Sequence, residues 1–300
     1  MTKNLRKLAK NMTVLFKVIA TVLLFPSFAF AKPMVLSSIK PLTLIVQEIA
    51  GDSANTDTLL PVTASPHDYP MKVSDYARLQ KADVVLWIGP ELESFLKKPI
   101  SNLPVGKVVT AYDLAGLYWP EAITYEDHHH ERDPHLWLDP RNAVVVARTL
   151  TIVLGKIDSA NNSLYEANMQ KFAIKMEDLD QKLSTNLKPV SNRGFAVYHE
   201  GYGHFVSHYG LHQLDYVTFT PEQRPGAKHV AVLQEKLARE GQCIFTEPYT
   251  DVQAVQTLAK DLKLQVGTLD ALGTQEVTNY SQLLERLTDA FLACLTNGRN

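Results

Sequence analysis

SLYEANMQKFAIKMEDLDQKLSTNL, Ser163 to Leu187, decides how the rest of this chain is organised. The stretch contains neither Gly nor Pro, and Leu164, Ala167, Phe172, Met176, Leu179 and Leu183 recur at helical spacing. Pro189 ends it, because a proline ring fixes φ and removes a backbone donor. The spacing predicts one helix of about 25 residues, or about 37 Å at about 1.5 Å per residue. A flexible linker would be rich in Gly, Ser or Pro instead. Two halves joined by such a helix should hinge little.

On the N-terminal side, strand and helix signals alternate. Met34 to Ile39 reads as a buried strand, Pro41 fits the first turn of a helix running to Ala50, and Gly51 stops that helix. Thr56 to Leu60 is a second strand. Ser74 is a suitable cap for a helix through Lys81, Val84 to Ile88 is a third strand closed by Gly89, and Val108-Val109 is a weaker fourth. On the C-terminal side, Phe195 to Tyr198, Leu214 to Phe219, Cys243 to Thr246 and Leu264 to Leu269 read as strands. Ala227 to Glu240, Asp251 to Leu262 and Ser281 to Leu295 read as helices. This rhythm predicts an α/β fold of two domains, each a mainly parallel sheet flanked by helices, joined by the long rigid helix. The expected divisions are 32–160, 161–189 for the helix, and 190–300. About 270 residues also exceed the usual single-domain size.

Residues 1–31 read as a cleavable signal peptide. Lys3, Arg6, Lys7 and Lys10 form a basic start, Val18 to Phe25 a short apolar core, and Ala29-Phe30-Ala31 the cleavage site. The apolar run, interrupted on its N-terminal side by Lys17, is too short for a membrane span of about 20 residues. The expected product is a periplasmic protein starting at Lys32, not embedded in the membrane. Removing the leader takes five of the 30 basic residues, leaving 25 against 32 acidic ones, a formal charge of −7. Nucleic acid is therefore excluded as a partner, since phosphate binding needs a basic patch. Cys243 and Cys294 are the only cysteines. In an oxidising compartment an even pair reads as one disulfide, with two buried thiols as the alternative.

Three histidines stand far apart yet close to strand ends or tight turns: His67 in Ser65-Pro66-His67-Asp68-Tyr69, His135 in Asp133-Pro134-His135-Leu136-Trp137, and His199 in Val197-Tyr198-His199-Glu200. In open α/β sheets, ligands bind in the crevice beyond the carboxyl ends of the strands. Imidazole is the most common protein ligand for zinc, and a tight site needs about four ligands. Taken singly, each histidine is more often a surface or satisfied core residue than a ligand.

The local sequences change that balance. Pro66-His67-Asp68-Tyr69, Ala82-Asp83 and Gly89-Pro90-Glu91-Leu92-Glu93 form one set of matches. Asp133-Pro134-His135-Leu136-Trp137-Leu138-Asp139-Pro140 forms a second, and His199-Glu200-Gly201-Tyr202-Gly203-His204-Phe205 a third. Pro225-Gly226, Glu247-Pro248 and Leu269-Asp270-Ala271-Leu272-Gly273 complete the series. With these, nearly the whole chain after the leader resembles the metal-binding receptors of bacterial ABC transporters, the cluster A-I solute-binding proteins. The resemblance implies a metal held between two α/β domains by His67, His135 and His199, with Asp270 or water at the fourth position. It also implies an inner-membrane ABC permease as partner, and a monomeric receptor rather than an enzyme.

Within that family, manganese receptors carry a carboxylate where this chain has His199. Three imidazoles make a nitrogen-rich site that suits Zn²⁺, so a zinc receptor is expected, with a manganese or iron receptor as the alternative. The loop around His128, His129 and His130 is a short version of a His-rich tract and a candidate auxiliary metal loop, or else a solvated polar loop. A secreted zinc hydrolase is the competing class. It would need H-E-x-x-H on one helix face, and His199-Glu200 with His204 is one residue too long.

Overall fold

The computed structural model describes residues 31–120, 132–248, 250, 252–274 and 276–297. The leader, apart from Ala31, and the loop of His128, His129 and His130 lie outside those residues.

Two four-stranded sheets, each wholly parallel, carry the architecture. The first comprises β1 (Met34–Ser37), β2 (Asn55–Thr58), β3 (Val84–Trp87) and β4 (Val108–Thr110) in the order β2-β1-β3-β4. The helices among them are α1 (Lys40–Ala50), α2 (Val73–Lys81) and α3 (Lys97–Ser101), followed by α4 (Pro140–Ile157). The long helix α5 (Asn162–Leu187) then leads to the second sheet. That sheet comprises β5 (Gly194–His199), β6 (Gln213–Thr218), β7 (Gly241–Thr246) and β8 (Gln265–Thr268) in the order β6-β5-β7-β8. Its helices are α6 (Gly203–Tyr209), α7 (Ala227–Glu240), α8 (Gln253–Leu262) and α9 (Tyr280–Thr296). Parallel strands need such crossovers, and helices on the faces explain why all of Val84–Trp87 is buried.

Helix α5 has 26 residues and buries Tyr165, Met169, Phe172, Met176, Leu179, Leu183 and Leu187 in a continuous stripe. The stripe is set by Tyr165 and Met169, so Leu164 and Ala167 fall on the solvent side. The buried stripe faces α1, α4 and α9, which ties the long helix to elements from both ends of the chain. One apolar cluster accordingly runs from Val35 to Leu295. A smaller one, including Ala196, Leu233, Leu237, Ile244 and Val255, fills the space between the second sheet and α7 and α8. The described residues from Pro33 onward form one compact unit.

Two local readings are corrected. Ser74 does not cap α2, because the helix begins at Val73 and the Asp75 carboxylate accepts from the Lys72 backbone N–H at 2.8 Å. His199 is the last residue of β5 rather than the residue after it. Cys243 and Cys294 are joined in a disulfide that links β7 to α9.

Candidate metal centre

Each histidine is held where the sheets open. In the second sheet β5 has β6 on one side and β7 on the other, so the connections leaving β5 and β7 diverge and open a crevice. His199 ends β5 at that point, and Glu247 follows the last residue of β7. In the first sheet the carbonyls of Ser37 and Ser38 at the end of β1 accept from Leu59 and Leu60 at 2.8 and 3.0 Å. That pairing fixes the start of the loop that carries His67. His135 sits on an Asp-Pro-His turn in which Asp133 Oδ1 accepts from the His135 backbone N–H at 2.9 Å. The turn runs directly into Leu136, Trp137 and Leu138, all with 0% exposure, so the segment cannot shift without opening the core.

The three rings converge. His135 Nε2 lies 3.3 Å from His67 Nε2 and 3.3 Å from His199 Nε2, and the three donor atoms all lie within 4.8 Å of one another. With Zn–N distances of about 2.0–2.1 Å, the edge of a tetrahedron is about 3.3 Å. Two of the three edges therefore already have the length that tetrahedral zinc requires. The residues fit the ion.

Carboxylates behind the rings fix which nitrogen faces the centre. Asp133 Oδ1 is 2.7 Å from His135 Nδ1, and Glu247 Oε1 is 2.5 Å from His199 Nδ1. Each Nδ1–H donates to its carboxylate, which leaves the Nε2 lone pair directed inward and makes the ring a better donor. Glu247 is itself anchored by the Tyr202 hydroxyl at 2.7 Å. Converging lone pairs at 3.3 Å repel one another unless a cation lies between them.

Electrostatics follow the same geometry. Burial pushes the His67 pKa well down, and the neighbouring His135 and His199 rings push it further. Burial also lowers His135, against the pull of Asp133. Burial would depress His199 too, but Glu247 outweighs it and the net direction is upward. For Asp133, burial is opposed by the His135 ring and its hydrogen bonds, which hold the carboxyl well below the usual range. Two rings are thus kept neutral and ready to donate, while the third competes with protons.

Gly201 has a steric role at the centre. A Cβ there would lie 2.3 Å from His199 Nε2 and 3.0 Å from His135 Nε2, inside the volume where an ion would sit. Asp270 lines the same cleft, of about 300 Å³, together with Pro66, Trp137, Tyr198 and Glu247. Its Oδ1 accepts from the backbone of Leu272 at 3.2 Å and Gly273 at 2.8 Å. Among the described residues it is not part of the group whose donor atoms lie within 4.8 Å. Burial raises the Asp270 pKa against those hydrogen bonds.

The residues of the hydrolase motif are engaged elsewhere. Glu200 Oε2 accepts from Gln213 Nε2 at 2.8 Å, and both ring nitrogens of His204 are taken by Asp133 O and Asn142. His208 pairs with Asp180 at 2.6 Å. Sequence reasoning did not assign roles to Asp133, Gly201, Tyr202 or Glu247, although all four lie within the matched segments.

A family model described as ZnuA, zinc-uptake complex component A periplasmic, matches residues 35–294. The chain belongs to that family. It is 31% identical over 316 residues to the high-affinity zinc uptake system protein ZnuA of Yersinia pestis, covering 96% of this chain and 99% of that one. It is 32% identical over 306 residues to the protein of the same name from Haemophilus ducreyi, with 93% and 99% covered. In fold it is similar to the periplasmic zinc binding protein TroA from Treponema pallidum, with a TM-score of 0.78 at 21% identity and 88% and 99% covered. The ZnuA family match thus spans β1 through most of α9 and includes the segments that carry all three histidines.

Proposed function

We propose that this chain captures Zn²⁺ in the periplasm and delivers it to the ABC-type permease of a zinc-uptake system. The observation that carries the reading is the convergence of three imidazole nitrogens at tetrahedral spacing. His67, His135 and His199 are the proposed ligands, with the fourth position filled by Asp270 or water. A nitrogen-rich set favours zinc over manganese. The family is one of receptors for a transported ion, not of enzymes. No helix among the described residues is long and apolar enough to cross a membrane, so docking on a separate permease fits the reading.

The accompanying proposals are a signal peptide cleaved after Ala31, domains at 32–160 and 190–300 with the helical segment 161–189 between them, and a monomeric receptor. The His128, His129 and His130 loop is proposed as an auxiliary metal loop. Calorimetric titration of metal-free protein with Zn²⁺ and Mn²⁺ tests the main reading. Zinc is expected to bind much more tightly, and His199→Ala to weaken it severely. Mn²⁺ binding as tight as Zn²⁺ would overturn the metal assignment, and unchanged zinc affinity in His199→Ala would overturn the site.

A further inference from the structure

We propose that His204 is a positioning residue for the metal centre, setting the His135 donor through Asp133 from the helix that follows the His199 strand. The inference rests on the site reading above.

His204 is 2% exposed and its hydrogen bonds define its protonation pattern. Asn142 Oδ1 accepts from the Tyr118 N–H at 2.7 Å, so Asn142 Nδ2 is the donor to Tyr118 O at 2.9 Å and to His204 Nδ1 at 3.3 Å. His204 Nδ1 is thereby an acceptor, and Nε2 carries the hydrogen. That Nε2–H donates to the Asp133 carbonyl at 2.9 Å. The His204 ring also lies 5.6 Å from the Trp119 ring, centroid to centroid.

Asp133 is the residue that this contact can control. One of its carboxylate oxygens accepts from both the backbone and the ring of His135, while the other, Oδ2, is buried without a hydrogen-bond partner among the described residues. Among the described residues, then, no hydrogen bond orients the Oδ2 side of the carboxylate. Packing does so instead: a Cβ on Gly203 would lie 2.7 Å from Asp133 Oδ2. His204 thus holds the Asp133 backbone while the bare surface of Gly203 leaves just enough room for its side chain. Both residues belong to α6, four and five positions beyond His199. The two donors His135 and His199 are in this way set relative to one another by protein contacts, not only by the ion.

Four variants separate this role from general packing. His204→Gln keeps a donor near the Nε2 position, whereas His204→Asn keeps polarity but withdraws from Asp133. His204→Phe keeps ring volume and loses both bonds. Gly203→Ala leaves every hydrogen bond of His204 in place and pushes on Asp133 Oδ2 directly. Zinc affinity would be measured by chelator competition in each purified full-length variant and in His135→Ala, with the visible spectrum of the Co²⁺-loaded protein as a readout of donor geometry.

The expected result is a loss of tenfold or more in zinc affinity, with an altered cobalt spectrum, for His204→Phe, His204→Asn and Gly203→Ala. His204→Gln should return to within about threefold of the unsubstituted protein. If His204→Phe does not fold, Gly203→Ala and the Gln and Asn pair decide. Zinc affinity within twofold and an unchanged cobalt spectrum in Gly203→Ala and His204→Asn would overturn the proposal while leaving the site reading intact. If His135→Ala binds zinc as tightly as the unsubstituted protein, the site reading fails and this inference falls with it.

Discussion

Glu247 Oε1 lies 2.5 Å from His199 Nδ1 and binds the Tyr202 hydroxyl at the same time. The contact follows from sheet register: Ala196 pairs with Ile244 in the parallel β5 and β7, so three residues later His199 and Glu247 stand at equivalent positions. Removing the carboxylate should act in two ways. The ring loses the acceptor that fixes its Nε2 toward the ion, and its pKa falls because Glu247 is what holds it up against burial. Glu247→Ala is therefore expected to weaken zinc about 10–100-fold at pH 8. A raised pKa means that His199 retains its proton to higher pH, so zinc affinity should fall as pH drops through that raised value. In Glu247→Ala this fall should begin at lower pH. Calorimetric titration at pH 8, 7 and 6 checks both, and parallel pH profiles in the two proteins would contradict the assignment.

Gly201→Ala tests the shape of the centre without replacing a donor. Its φ is not in the left-handed region, so the backbone tolerates a side chain, but the added methyl would contact His199 Nε2 and His135 Nε2. Zinc binding should fall at least tenfold, and the thermal midpoint of the metal-free protein should fall as well, because the methyl forces a buried ring to shift. Equilibrium dialysis together with a thermal melt gives both numbers. Retained affinity would mean that the ion does not lie between those rings.

The long helix and the parallel sheets were legible because their signals are local. Seven buried residues from Tyr165 to Leu187 repeat at helical spacing, and β3 is a short, uniformly apolar run. That His67, His135 and His199 come together was legible from strand ends, a Pro-fixed turn and the family resemblance. Glu247 was not, because its partnership with His199 depends on a register shift in β5 between Gly194 and Phe195 that no local pattern encodes. Tyr202 and Asp133 were missed for a related reason. Their roles come from what lies behind a ring, and sequence spacing carries no information about that. Asp270 illustrates the converse: sequence places it at the cleft, but its Oδ1 is engaged in a turn by Leu272 and Gly273.

The disulfide should contribute stability with little effect on the site. Cys243 and Cys294 are 51 residues apart, and closing a loop of that size stabilises by about 4 kcal/mol in the chain-entropy model. Cys243 lies on β7, four residues before Glu247, and is buried in the same apolar cluster as Phe245 and Phe291 rather than at the cleft. Replacing both cysteines with serine is expected to lower the unfolding free energy measured in urea by a few kcal/mol, while zinc affinity stays within a few-fold. A large loss of zinc affinity in a folded variant would show that the bridge also sets the Glu247 position.

Glu93 should make the metal-free protein less stable as pH rises. Its side chain is fully buried, and Oε2 accepts from the backbone of Ile88 at 2.9 Å and Gly89 at 3.2 Å. Burial pushes its pKa up to about 7 against those hydrogen bonds, from 4.5 for an ordinary glutamate. The folded state therefore binds the proton more tightly than the unfolded chain does. Its stabilising contribution is complete below about pH 4.5 and is lost as pH rises through about 7, a change on the order of 3 kcal/mol. Glu93→Gln keeps an acceptor for the two amides and cannot ionise. Relative to the unsubstituted protein, the variant should gain stability between pH 5 and pH 8, because it escapes the cost of ionising a buried carboxyl. Urea denaturation of both proteins at the two pH values, without zinc, isolates the effect from other titrating groups. A constant difference in stability between them would mean that Glu93 ionises normally in the folded state.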